Sequence, residues 1–170
     1  SCGSSIGLSI VEQVDNLVAA IKKAFAFDEK AIIEEHIPGR EITVGILDGQ
    51  PLPIVEIIPK KKFFDYEAKY TSGLTDYQVP ARLSKNLTRK LQRSALSAHQ
   101  LLGCRGYSRV DMILNPQEEG VILELNSIPG LTPTSLLPKA AKQAGIDFPQ
   151  LCLRLIQSAY EKNKKQEVYL

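Results

Sequence analysis

The sequence contains no tryptophan, one methionine and two histidines, and its three cysteines, Cys2, Cys104 and Cys152, are odd in number and far apart. That usage argues against a disulfide framework and against a structural zinc site, and it suits a reducing, cytoplasmic setting. His36 and His99 stand alone, so neither is assigned a ligand role. No apolar run approaches the roughly 20 residues a membrane span needs, and no secretory leader is read in the chain. The net charge of +2 is too small to argue for nucleic acid or an anionic membrane as partner. Lysine clusters at 60–62 and 162–165 make modest basic patches, the second read as a solvated tail.

What the sequence does have is ordinary globular material: 44% hydrophobic and 24% charged residues over 170 positions. A chain of this length suits one domain or two lobes and can bury roughly 70% of its extended surface. It opens on a small-residue loop, Ser1-Cys2-Gly3-Ser4-Ser5-Ile6-Gly7, of the kind that can bring backbone N–H groups close to a phosphate. A helix is predicted over 15–25, with Asp15 as N-cap and Leu17, Ala20, Ile21, Ala24 and Phe25 on one face. Residues 31–35 read as a strand. Residues 41–47 alternate, with Ile42, Val44 and Ile46 buried; Asp48-Gly49 turns the chain, and 52–58 returns as the partner. This pattern predicts an antiparallel sheet with one face covered.

From 59 to 80 no period is visible, yet Phe63, Phe64, Tyr66 and Tyr70 argue against simple disorder, so the segment reads as a lid. Ser84 caps a predicted helix with Leu87, Leu91, Ala95, Ala98 and Leu102 inward, ending at Gly103. A helix is expected over 138–144. Another starts near Pro149 and buries Leu151, Leu155, Ile156 and Ala159, with Cys152 on its apolar stripe.

The most informative stretch is a hairpin. Residues 106–114 and 121–126 both alternate, with Arg109 and Asp111 on one parity of the first strand and Glu124 and Asn126 on one parity of the second. If the loop between them folds symmetrically, Asp111 lies opposite Glu124 and Arg109 opposite Asn126. Carboxylates directly across a sheet repel, so something positive belongs between them. Oxygen donors without His or Cys favour magnesium, which binds a few carboxylates and completes its shell with water and phosphate.

Taken together, Gly3-Ser4-Ser5-x-Gly7, Glu34 with Gly39-Arg40-Glu41, 65–70, Arg109-Val110-Asp111 and Glu124-x-Asn126-x-x-Pro129-Gly130-x-Thr132 resemble the D-alanine–D-alanine ligase family, in order and spacing. The resemblance implies an α+β, ATP-grasp fold, a mostly antiparallel sheet with flanking helices. It divides the chain into a remnant of the central subdomain at 1–37 and a catalytic lobe at 38–170, with the lid at 59–80. An N-terminal domain, its substrate-orienting glutamate and two phosphate-binding lysines are expected to lie before Ser1, so this chain alone is expected to be inactive.

By the same resemblance, the reaction joins two D-alanines with ATP through an acyl phosphate, in peptidoglycan precursor synthesis. Asp111, Glu124 and Asn126 match the ligands of two Mg2+ ions, for which Mn2+ can substitute. Arg109 and the Gly130 N–H match the oxyanion donors; Ser4 and Tyr70 match a lid latch. Ser5, Lys69 and Phe63 match ATP contacts, although Phe63 also makes sense as an apolar lid anchor. Glu34, Glu35 and Ile37 match the adenine side, and Glu41 the ribose. Ser135 and Leu136 match the grip on the second D-alanine's carboxylate; by chemistry alone Ser135 is an ordinary helix N-cap, and the two roles are compatible. Tyr70, rather than a histidine, argues for D-alanine over D-lactate as acceptor. A homodimer is expected in the intact enzyme, with no nucleic-acid or membrane partner. Another ATP-grasp carboxylate–amine ligase, such as a D-alanine–D-lactate ligase, and a non-catalytic nucleotide-binding fragment are the alternatives.

Overall fold

The computed structural model describes residues 7–59 and 75–167, with side chains described through 160. Contacts divide the chain into two compact units, Ser1–Ile37 with Pro59–Asp76, and Pro38–Ile58 with Tyr77–Leu170. In the first, a 3-10 turn at Val14–Asn16 leads into α1, Leu17–Phe25. Leu17, Ala20, Ile21 and Ala24 form its half-buried stripe, while Phe25 is 53% exposed. Asp15 is not the cap: it lies in the 3-10 turn, and Asn16 takes the N-cap position without a side-chain hydrogen bond. Residues 31–35 do not form the predicted strand, and Ile32 and Ile33 are exposed.

Most of the second unit is built on a sheet. The strands of the sheet are β1 (Arg40–Leu47), β2 (Gln50–Pro51), β3 (Val55–Pro59), β4 (Thr75–Gln78), β5 (Tyr107–Leu114) and β6 (Gly120–Asn126), of which Pro59 and Thr75–Asp76 group with the first unit. Their order is β4-β3-β1-β5-β6, with β2 paired to β1; β1 runs antiparallel to β2, β3 and β5, and β5 runs antiparallel to β6. The expected return of 52–58 is interrupted: Leu52 N–H turns back to the Gly45 carbonyl at 2.7 Å, and regular pairing resumes at Val55 opposite Thr43. Regular structure also reaches 75–78 of the segment read as patternless. The sequence hid it because this edge strand carries the polar residues Thr75, Asp76 and Gln78. Residues 60–74 of the expected lid lie outside the described residues.

Helices cover both faces. The even residues of β1, Ile42, Val44 and Ile46, pack with Val110, Met112 and Leu114 against α2 (Lys85–Leu101), which contributes Leu87, Leu91 and Ala95. Ser84 caps α2 as expected, its Oγ accepting from Leu87 N–H at 3.2 Å. The inward stripe ends in His99 rather than in Leu102, which is 68% exposed. His99 Nδ1 lies 2.7 Å from Ser108 Oγ on β5, and burial lowers the imidazole below its ordinary value.

On the odd face, Leu47, Leu52 and Val55 pack with α3 (Leu136–Gln143) and Leu151 of α4 (Phe148–Glu167). Coverage from two sides buries β1 from Ile42 to Leu47, where the alternation had predicted one buried face. The inward face of α4 is Leu151 and, half-buried, Cys152, Leu155 and Ser158; Ile156 and Ala159 point outward, contrary to expectation. Among the described residues no helix is long and apolar enough to cross a membrane.

Candidate active site

The odd face of the sheet changes character along its length. Reading down β1 it presents Glu41, Thr43, Gly45 and Leu47, and β5 sets Ile113, Asp111, Arg109 and Tyr107 opposite them. Helices α3 and α4 cover the Leu47–Tyr107 end. The polar end carries the cluster.

There the register brings Asp111 opposite Glu124 and Arg109 opposite Asn126, as the alternation predicted. The loop is not symmetric, however. It pairs Leu114 with Gly120 and Met112 with Ile122, so Leu123 is an extra residue, a bulge that shifts the register before Asp111. Without it Asp111 would face Leu123, and Glu124 would turn toward the apolar core under α2.

Asp111 is saturated with donors. Arg109 grips it through two bonds, Nε to Oδ1 at 2.8 Å and Nη2 to Oδ2 at 2.7 Å. Thr43 Oγ1 donates to Oδ1 at 2.6 Å, and Asn126 Nδ2 to Oδ2 at 3.1 Å. The pair is largely removed from water, with 18% of the Arg109 side chain and 12% of the Asp111 side chain exposed. Burial opposes the Arg109 charge, but its hydrogen bonds to Asp111 and the fields of Asp111, Glu124 and Glu41 outweigh it, so the guanidinium lies above its ordinary value. The positive charge beside Asp111 is therefore the arginine two residues away on the same strand face, a partner the sequence reading had reserved for a cation.

Asn126 Nδ2 also donates to Glu124 Oε1, at 3.2 Å. One amide thus bridges the two carboxylates and marks a point both can reach. A 180° turn of that amide would present oxygen there instead, giving an all-oxygen set that fits a hard divalent ion. Among the described residues no three Asp, Glu, His or Cys side chains converge to hold a metal by themselves.

The second cluster surrounds Ser135. Its Oγ accepts from Thr132 N–H at 3.2 Å and lies 2.8 Å from Thr132 Oγ1, and a Cβ on Gly130 would come within 3.1 Å of it. Ser135 occupies the N-cap position of α3 but makes no side-chain cap, so the expected capping bond is absent. Its hydroxyl folds the 130–135 loop, and the first N–H groups of α3 have no cap side chain. Gly45 joins the two clusters. It is the cross-strand partner of Arg109, and a Cβ there would lie 2.7 Å from Leu137 Cδ1, so α3 rests on the strand position beside the arginine.

The structure thus brings together Arg109, Asp111, Glu124 and Asn126, with Glu41 near enough for its field to reach Arg109 and Tyr77. Burial first, and then Glu41, raises the Tyr77 phenol. Gly130, Ser135 and Leu136 form the neighbouring group. Glu34, Glu35 and Ile37 belong to the other unit, on irregular backbone, with both glutamates exposed. Ser4, Ser5, Phe63, Lys69 and Tyr70 lie outside the described residues. Thr43 and Gly45 were missed. Their signal was parity: both share the odd set with Glu41, the face that antiparallel pairing turns toward Arg109 and Asp111.

Comparison with known proteins adds a second line. Residues 1–157 match the family model described as D-ala D-ala ligase C-terminus. The chain is 48% identical over 158 residues to the D-alanine–D-alanine ligase of Pelobacter propionicus, covering 92% of this chain and 51% of that protein. It is 51% identical over 164 residues to that of Syntrophobacter fumaroxidans, covering 94% and 52%. Among solved structures, the Bacillus anthracis D-alanine–D-alanine ligase complexed with ATP is 36% identical, with a TM-score of 0.81 over 95% of this chain and 53% of that one. The VanG D-Ala:D-Ser ligase of Enterococcus faecalis is 38% identical, with a TM-score of 0.78 over 91% and 46%. The chain spans about half the length of the curated relatives it matches.

Proposed function

Because this chain belongs to the D-alanine–D-alanine ligase family and has its α+β, ATP-grasp fold, we propose that it supplies part of an active site that joins two D-alanines with ATP, a cytoplasmic step toward peptidoglycan precursors. The first D-alanine carboxylate attacks the γ-phosphorus and ADP leaves, giving an acyl phosphate. The amine of the second D-alanine attacks the acyl carbon, and the tetrahedral intermediate sheds phosphate and a proton to give the dipeptide.

Phosphoryl transfer asks a protein for positioning and charge neutralisation rather than covalent help. Asp111, Glu124 and Asn126 would hold two Mg2+ ions, which when bound neutralise the phosphate oxygens. Arg109 would stabilise the oxyanion, with the Gly130 N–H as the second donor. Ser135 and the Leu136 N–H, at a helix start without a side-chain cap, suit the acceptor's carboxylate. Glu41 serves the ribose; Glu34, Glu35 and Ile37 serve the adenine; Ser5, Phe63 and Lys69 serve ATP, with Ser4 and Tyr70 closing the lid.

One arrangement supports this reading above the rest: Arg109 and Asp111 face Glu124 and Asn126 across a strand pair, beside the helix end that carries Ser135. The test is ADP release by the complete polypeptide that carries this chain, with magnesium and each acceptor in turn. D-alanine is expected to support turnover and D-lactate to fail at neutral pH; efficient D-lactate use would overturn the assignment. Tight magnesium–ATP binding with no ADP formed would leave a nucleotide-binding module instead. This chain alone is expected not to turn over.

A further inference from the structure

In the proposed mechanism Arg109 has two jobs. Its bonds to Asp111 run through Nε and Nη2 and leave Nη1 for a second partner. If Arg109 turned away from Asp111 and a cation replaced the Asn126 amide, three of the four donor bonds on Asp111 would be gone. The fourth is Thr43. Its residue is 1% exposed, so no water can take over its role, and a β-branched side chain on a central strand has little rotamer freedom. Its hydroxyl has a second acceptor within reach, the Val110 carbonyl at 3.1 Å, but the 2.6 Å contact with a carboxylate is the shorter and charge-assisted one.

The two oxygens of Asp111 are therefore not equivalent. Oδ2 shares the Asn126 amide with Glu124 Oε1 and faces the point where a cation fits, while Oδ1 points back into the sheet at Thr43. We propose that Thr43 is a positioning residue for the metal site: its buried hydroxyl pins Oδ1, offers Oδ2 to the cation, and keeps the carboxylate in place when Arg109 turns to the substrate. The inference rests on the ligase reading above in taking Asp111 as a metal ligand.

Partners that orient a metal ligand are worth roughly 10–100-fold in metal affinity. The test is Mn2+ binding followed by electron paramagnetic resonance, on the complete polypeptide with a non-hydrolysable ATP analogue, for Thr43→Val, Thr43→Ser and Asp111→Asn. Valine keeps the shape and removes the hydroxyl, so Mn2+ affinity is expected to fall by about 10-fold or more. Metal-free nucleotide binding should stay near the parent's, and serine should restore the metal. If Thr43→Val does not fold, Thr43→Ala takes its place with the same expectations. Should Asp111→Asn weaken Mn2+ while Thr43→Val does not, the role of Thr43 is refuted and the metal site stands. Loss in Thr43→Val that serine fails to rescue also refutes it, because shape rather than the hydroxyl would then be at work. If Asp111→Asn binds Mn2+ like the parent, the metal reading itself falls, and this inference with it.

Discussion

Gly45 carries no chemistry, yet adding one methyl group to it should disturb both the stability and the acceptor end of the site. An alanine Cβ would lie 2.7 Å from Leu137 Cδ1 and 3.1 Å from Leu52 Cδ1, against an ordinary carbon contact of about 3.5–4.0 Å. Neither leucine has open space beside it, since Leu137 is 1% exposed and Leu52 5%. Overpacking of this kind costs about 1–3 kcal/mol. Replacing a strand glycine recovers about 0.5–1 kcal/mol. The short 2.7 Å approach to buried Leu137 puts the overpacking cost above the low end of its range, leaving a net loss on the order of 1 kcal/mol and at most about 2.5 kcal/mol. With a urea dependence of roughly 2 kcal/mol per M, a loss of about 1 kcal/mol lowers the unfolding midpoint by about 0.5 M. The strain has a direction. Leu137 is the second residue of α3, so relief moves the Ser135 end of the helix away from Arg109. The acceptor KM should therefore rise in Gly45→Ala while ATP affinity stays near the parent's, because the Asp111–Glu124 pair lies on the far side of Arg109. Adding Leu137→Ala should relieve the clash, with a coupling of about 1 kcal/mol or more in a double-mutant cycle. A Gly45→Ala protein as stable as its parent, or strict additivity with Leu137→Ala, would refute the close approach of α3 to the arginine strand.

Arg109→Lys keeps a charge but not the fork that holds both oxygens of Asp111; kcat is expected to drop by roughly 10²–10³-fold in steady-state assays, with nucleotide still bound. Ser84 and Ser135 both precede helices, but the Ser84 side chain caps and that of Ser135 does not. Ser84→Ala should thus cost about 1 kcal/mol in urea unfolding, whereas Ser135→Ala should leave stability nearly unchanged and raise the acceptor KM. His99 is buried and its folded-state value lies below the ordinary 6.5, so the unfolded chain takes up a proton first as pH falls. Its contribution is intact above about 6.5 and is lost from there down to the folded value, with a slope of at most about 1.4 kcal/mol per pH unit. Thermal melts of His99→Gln should flatten between pH 7 and 5, and an NMR titration of His99 at or above 6.5 would contradict the burial argument.

How legible all this was depends on which interactions set each feature. The pairing of Asp111 with Glu124 and of Arg109 with Asn126 could be read from parity alone, because side chains alternate along any strand. The route to that pairing could not: the asymmetric loop and the compensating bulge at Leu123 depend on how the turn closes. Ser84 was readable as a cap because capping is local. Ser135 looked the same in sequence, but its hydroxyl is claimed by Thr132, three residues earlier in the loop. The inward face of α4 was misjudged at Ile156 and Ala159 because an apolar residue can face either way where the packed surface is narrow. Thr43 was passed over because β1 was taken to have one buried face, and its neighbour β5 comes more than 60 residues later in the chain.

The same strand explains why a polar cluster can sit at the centre of a sheet. On its odd face β1 passes from Glu41 through Thr43 and Gly45 to Leu47, a gradient from charge to hydroxyl to no side chain to hydrocarbon. At the Leu47 end that face is core, sealed by α3 and α4; toward the Glu41 end it carries the polar cluster of Thr43, Arg109 and Asp111. Gly45 sits at the change, and its missing side chain lets Leu137 of α3 rest on the strand position opposite Arg109. A guanidinium and a carboxylate this far out of water are tolerated because their polar atoms are served: among the described residues no buried side-chain nitrogen or oxygen lacks a partner.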